Sequence, residues 1–241
     1  MKRIAAMLTA AVSVLLLALN ASAQVRVYDT IYSADGSSTQ LTELVFTGST
    51  PRYRLADGIG VNLAVDHFLR RLDFVLIVAT AGTYTNITAD IEVYNAWNPN
   101  ATSGSVFSNL AAAFTVNLGN ASPTGATAYL VQAAVPAGVV LNTNSSKGVV
   151  ITLKHNGVLD NALTLGIVNR QPNPGSEVVA DLFYRDANNN GIIEAADGRT
   201  FGTRTADNLA LTLWAQPVPE PATLLALGVG IAGLALRRRK R

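Results

Sequence analysis

The chain of 241 residues contains no cysteine. Disulfide staples and thiolate metal sites are therefore excluded, and a folded domain must stand on its apolar core alone. Histidine is nearly absent too, His67 and His155 being the only two, which leaves little for imidazole chemistry. Charged residues make up 14% of the chain, and its formal balance of +2 is set by the two ends. Seven of the eighteen basic residues are Lys2, Arg3 and the run Arg237 to Arg241, whereas Glu220 is the one acidic residue of sixteen outside residues 24–217. The 194 residues between hold eleven basic and fifteen acidic side chains and no cationic run. Nucleic-acid recognition, which begins with neutralising phosphates, has no footing there.

Long helical patterns are missing as well. Apart from a short helix expected around Ser108 to Ala113, no stretch places apolar residues at i, i+3, i+4 and i+7. What is present is a series of short segments that alternate or run apolar. They are Val25 to Tyr32, Gln40 to Phe46, Gly60 to Val65, Leu72 to Thr80, Ala89 to Tyr94, Phe114 to Leu118, Ala126 to Ala134, Gly148 to Lys154, Ala162 to Val168, Val178 to Tyr184 and Leu209 to Ala215. Their β-branched and aromatic residues suit a pleated, half-buried surface. Turn formers stand between them, such as Ala34-Asp35-Gly36-Ser37, Ala56-Asp57-Gly58, Asn98-Pro99-Asn100 and Gln171-Pro172-Asn173-Pro174-Gly175. No repeat of fixed period argues for a propeller or a β-helix. The pattern predicts one all-β domain over residues 24–217, an antiparallel β-sandwich, with a jelly roll as one form of it.

The ends read differently. Lys2 and Arg3 precede the apolar stretch Ile4 to Leu19, and Asn20-Ala21-Ser22-Ala23 offers small residues at the subsites a signal peptidase reads. Residues 1–23 are thus a secretory signal helix, cut between Ala23 and Gln24, with a retained membrane helix as the alternative. Near the other end, Ala222 to Leu236 is fifteen residues without a charge, short against the roughly twenty that cross a bilayer, and a basic cluster follows. Such a cluster stays on the cytoplasmic side, leaving the body of the protein outside. Pro219 and Pro221 make Val218-Pro219-Glu220-Pro221 a stiff, extended strip in front of this short transmembrane helix.

Val-Pro-Glu-Pro-Ala-Thr, a Leu/Gly/Ala run and an arginine-rich tail, in that order over residues 218–241, resemble the PEP-CTERM sorting signal. The resemblance implies recognition of Pro219, Glu220 and Pro221 by a membrane-embedded exosortase-type enzyme. It also implies delivery from the inner membrane to the cell surface or extracellular polysaccharide matrix of a Gram-negative-type bacterium. A plain tail anchor is the alternative.

One internal stretch carries a ligand-like spacing. Asp186-Ala187-Asn188-Asn189-Asn190-Gly191-Ile192-Ile193-Glu194-Ala195-Ala196-Asp197 has oxygen side chains at positions one, three and five, glycine at six and an acid at twelve. It resembles the calcium loop of EF-hands and dockerins, which implies side-chain ligands from Asp186, Asn188, Asn190 and Asp197 and a carbonyl from Ile192. Asn at position five and the single copy depart from that pattern. A hairpin with Asn189-Asn190-Gly191 at its tip is the preferred reading, with calcium second.

Catalysis finds little support. Asp66-His67 lacks a Gly-x-Ser-x-Gly elbow, and neighbours on a strand point to opposite faces. Glu43, Glu92, Glu177 and Glu194 give no preferred pair for glycoside hydrolysis. Tyr94-Asn95-Ala96-Trp97-Asn98 places aromatics beside amides, as a sugar-stacking patch would, although Trp97 and Trp214 also read as core or rim residues. The expectation is a non-enzymatic, exported structural or adhesive protein without a cofactor. A carbohydrate-binding module and a polysaccharide hydrolase are the rivals.

Overall fold

Residues 24–32, 53–144, 146–177, 182–199 and 207–219 are described by the structure, a computed structural model. The signal segment, the strand expected over Gln40 to Phe46 and the C-terminal apolar run lie outside these residues. In chain order the strands are β1 (Val25–Asp29), β2 (Arg54–Gly60), β3 (His67–Val78), β4 (Tyr84–Trp97), β5 (Phe107–Ala121), β6 (Thr127–Ala134), β7 (Val140–Leu141), β8 (Ser146–His155), β9 (Val158–Leu159), β10 (Leu163–Leu165), β11 (Ile167–Asn169), β12 (Ser176–Glu177), β13 (Phe183–Arg185), β14 (Gly198–Arg199), β15 (Asp207–Leu209) and β16 (Leu211–Pro217). Their pairings are all antiparallel. Among the described residues the helical content is one 3-10 turn, Ala195–Asp197, and no helix is long and apolar enough to cross a membrane.

One sheet is built on β3, with β16 and β10 along one edge, β6 and β7 along the other, and β1 outside β16. The second large sheet runs β14-β13-β2-β8-β4-β5, with β12 on β2 and β9 on β8, and β11 and β15 pair as a small sheet of their own. Period-two alternation decides which side chains go in. On β4 the inward Ile87, Ala89, Ile91 and Val93 are buried while Thr88, Asp90, Glu92 and Tyr94 are half-exposed. Val149, Ile151 and Leu153 of β8 join them, and Leu72, Phe74, Leu76 and Val78 of β3 belong to the same apolar cluster. The inner faces of both sheets therefore share one core. At about 25 cal/mol per Å² of apolar area, this burial is the main force holding the layers together.

On β3 the inward set shifts phase between Leu69 and Leu72, where the pairing with β16 slips between Trp214 and Ala215. This bulge keeps both Arg70 and Arg71 out of the core, which strict alternation would not allow. Arg71 instead lies 4.2 Å over the Trp214 ring, and Trp214 Nε1 donates to the buried Asp73 carboxylate at 2.8 Å.

Three local expectations are corrected. Ala56-Asp57-Gly58 is the middle of β2 and not a turn. Gly60 to Val65 is mostly the connection out of that strand. Ser108 to Ala113 belongs to β5, because backbone pairing with β4 outweighs the helix propensity of three alanines.

Candidate functional site

β16 carries the chain out of the fold. It lies between β1 and β3, and its last residue, Pro217, stands opposite His67. One residue on, the Val218 N–H donates to the Asp66 carbonyl at 2.8 Å, so the backbone is held to the threshold of the proline strip. Pro219 is half-buried, while Glu220 and Pro221 lie outside the described residues. β1 starts at the same place, with Val25 opposite Ala215. Gln24 is exposed just ahead of it, and Ala23 lies outside the described residues.

The rim around this exit is rich in amides. The Asp66 carboxylate accepts the Thr143 N–H at 3.0 Å, and His67 Nδ1 sits 2.7 Å from the Val65 carbonyl. Neighbours in sequence, these two side chains thus serve different partners. Asn95 Nδ2 donates to the Val140 carbonyl at 3.0 Å, and its Oδ1 accepts the Asn142 N–H at 3.2 Å. Beneath the rim is Lys147, fully buried, whose Nζ donates to Asn142 Oδ1 at 2.9 Å and to the Asn144 carbonyl.

Burial pushes the Lys147 amine down to about 8, against the opposing pull of the Asp66 charge. A base with a depressed folded-state value gives up its proton at a lower pH folded than unfolded. Stability from this residue therefore rises with pH from about 8 to 10.5, the ordinary lysine value. Lys147→Met should remove that slope. Between about pH 7.5 and about pH 10 the wild type is expected to gain about 2 kcal/mol on the variant in urea unfolding. A difference that stays flat with pH contradicts this assignment. Above pH 10 both proteins lose stability together, because burial pushes the Tyr94 and Tyr184 hydroxyls up to about 12 and unfolding then lets them ionise, a contribution that cancels in the difference.

The loop between β13 and β14 closes on itself. Asp186, 1% exposed, accepts N–H groups of Asn190 (3.1 Å) and Gly191 (2.9 Å), one on each carboxylate oxygen. Asp197 accepts those of Ala187 (3.3 Å) and Glu194 (3.0 Å). Asn188 Oδ1 accepts the Asn190 N–H at 3.1 Å, and Asn190 Oδ1 that of Ile192 at 2.8 Å. The side-chain oxygens a cation would need are thus engaged with the loop's own backbone. Among the described residues no three His, Cys, Asp or Glu side chains converge to hold a metal ion. The flanking strands pair antiparallel, but residues 186–197 form a wide loop between them, and positive φ falls on Asn189 and Gly191 and not on Asn190, so no tight Asn-Gly turn forms the tip.

Ile193 docks this loop on a second apolar cluster, its carbonyl accepting the Val106 N–H at 2.9 Å. There Trp97 is 6% exposed and donates from Nε1 to the Tyr184 hydroxyl at 3.0 Å. Of the two readings of this stretch, Trp97 takes that of a core residue, and Tyr94 stacks on Phe107 at 5.7 Å.

Carboxylates on the outer face of the β4 sheet are paired across strands. Glu92 accepts from Arg54 at 3.3 Å and from the Tyr94 hydroxyl at 3.0 Å. Burial works against the charged form of Asp90, but hydrogen bonds from Lys154 and Thr115 outweigh it and hold its carboxyl below the usual range. A general acid in glycoside hydrolysis needs the opposite shift. Glu194 Oε2 accepts the Asn188 and Asn190 amides at 3.4 Å each, away from this face. Glu43 and the Glu177 side chain lie outside the described residues. Lys147 and the buried Asp57 were not singled out from the sequence; only the fold places them on inward positions.

No curated protein and no solved structure matches the chain. The family model of the PEP-CTERM protein-sorting motif matches residues 217–240, from the last residue of β16 onward. The chain therefore carries a PEP-CTERM sorting signal, the mark of an exported protein recognised by an exosortase.

Proposed function

We propose that the protein is a non-enzymatic β-sandwich delivered by its C-terminal signal to the cell surface or extracellular matrix, where it has a structural or adhesive role. The observation that carries this reading is the junction at Pro217: the sorting motif begins on the last residue of a strand embedded between two others. The signal and the domain are one continuous object, so whatever the enzyme does to the signal it does to this domain. The self-satisfied loop, the covered aromatics and the paired carboxylates favour a stable body over an open catalytic cleft.

The test is the intact mass of the protein recovered from surface and medium fractions of its host, with and without the processing enzyme. A mass lacking the segment beyond Pro219-Glu220-Pro221 is expected, together with a mature N-terminus at Gln24. Glu220→Ala should leave the full-length C-terminus in the inner membrane and reduce the surface form at least about tenfold, since a recognition loss of about 1.4 kcal/mol already gives that factor. Enzyme-independent retention of an intact C-terminus would make the segment a plain tail anchor and remove the matrix assignment.

A further inference from the structure

We propose that the end of the domain where β1 begins and β16 leaves is a membrane-facing surface, seated on the lipid headgroups while the precursor is anchored. This rests on the sorting reading above and adds an orientation to it. The first argument is topological. β1 and β16 are antiparallel neighbours, and Val25 pairs with Ala215, so the chain enters the sheet and leaves it at the same end. The segment that precedes Gln24 and the motif that follows Pro217 both depart from that end. Once the signal helix is cut from Gln24, the C-terminal run is the tether that remains, and it leaves from this end.

The second argument is length. The Val218 N–H is fixed to the Asp66 carbonyl, and Ala222, where the uncharged run starts, is four residues later. Fully extended, four residues span at most about 14 Å. The headgroup layer on one side of a bilayer takes up about 5 to 8 Å of that. With the run inserted, at most about 6 to 9 Å of chain is left over, so the rim is held within about that distance of the headgroups. The opposite end, where the Gly82 N–H meets the Pro123 carbonyl, is removed by the length of β3, twelve residues or about 36 Å.

The third argument is the rim's composition. The segments 61–66, 98–106 and 135–144 contain Asp66 as their sole charged residue, with Asn62, Thr143 and Asn144 exposed. A neutral amide surface neither requires anionic lipid nor is repelled by it, so the contact follows from the tether and should persist at high salt.

The absence of cysteine makes a direct test possible, because any introduced thiol is unique. Thr143→Cys and Asn62→Cys mark the rim, and Thr124→Cys and Ala81→Cys mark the far end; all four positions are exposed. Each full-length precursor is labelled with a fluorophore in inner-membrane vesicles lacking the processing enzyme, then mixed with lipid carrying a headgroup quencher. Quenching several-fold stronger at both rim positions than at both far positions, unchanged in high salt, is expected. A membrane-bound precursor with equal quenching at the two ends overturns the orientation and leaves the sorting reading intact. A precursor that does not sediment with the vesicles overturns both. Rim protection that arises only when the enzyme is restored assigns this surface to the enzyme, and the lipid proposal fails.

Discussion

Gly58→Ala is expected to destabilise the domain by about 3 kcal/mol or more, a large share of the roughly 5 to 15 kcal/mol that holds a domain folded. Gly58 pairs directly with Gly148 on the neighbouring strand, and the two bare backbones form a floor for aromatic rings. A Cβ on Gly58 would lie 2.1 Å from Trp97 Cδ2, and one on Gly148 would lie 2.1 Å from Phe107 Cδ1. Neither ring can retreat. Trp97 is tied to the Tyr184 hydroxyl, Phe107 is 4% exposed, and Val106 and Ile193 close the cluster above them. Relief would require moving β2 against β8, a pairing that runs from Arg54 to Gly60. Gly125→Ala is the control, since nothing lies within 4 Å of a Cβ there, and its effect should fall within about 0.5 kcal/mol of zero. Urea unfolding midpoints at constant m value decide the matter. A Gly58→Ala protein as stable as the Gly125→Ala control would mean that the ring packing is wrongly placed.

Asp29→Ala should cost about 3 to 5 kcal/mol, the range for removing one partner from a buried ionic network. The side chain is fully buried at the end of β1. Its Oδ1 accepts the N–H groups of Ile31 (2.9 Å) and Tyr32 (3.0 Å) and the Thr212 hydroxyl (2.6 Å), while Oδ2 accepts from Arg26 at 2.5 Å. Alanine removes one acceptor from each of two backbone N–H groups, a hydroxyl and a guanidinium. Asp29→Asn retains an oxygen for the first three, but its Nδ2 donor replaces the Oδ2 acceptor facing Arg26, so the ion pair is lost and that contact turns repulsive; with three of the four acceptor contacts kept, it should still cost less than alanine. Equal losses in the two variants would show that charge, and not the three Oδ1 hydrogen bonds, dominates this site.

How far the sequence foretold these features depends on what kind of signal each one is. The alternation of β4 is visible in single residues, because Ile87, Ala89, Ile91 and Val93 can only face one way. The sorting signal is equally visible, being a linear order of prolines, apolar residues and arginines that needs no fold to be read. Ala56-Asp57-Gly58 was misread because its meaning lies elsewhere in the chain. Gly58 is small for the sake of Trp97, and Asp57 is buried to accept the Leu209 N–H at 2.9 Å. A glycine inside a strand often marks close approach by another group, but sequence alone does not say which. The alanines of β5 misled for a related reason: they are small on an edge strand, where pairing with β4 sets the backbone. Lys147 looks like any surface lysine until the register of β8 turns it inward beside Asn142.

The position of β16 between β1 and β3 also determines how the protein would bear a pull. If the surface form is held by its C-terminal end, tension enters at Pro217 along the axis of a strand that is hydrogen-bonded on both sides. It bonds to β3 from Leu211 to Pro217 and to β1 from Thr212 to Ala215. Such a load shears both ladders at once and shares itself among their bonds, whereas an edge strand pulled sideways would peel open one bond at a time. The point of attachment is thus the place where the fold resists extraction with two rows of hydrogen bonds together.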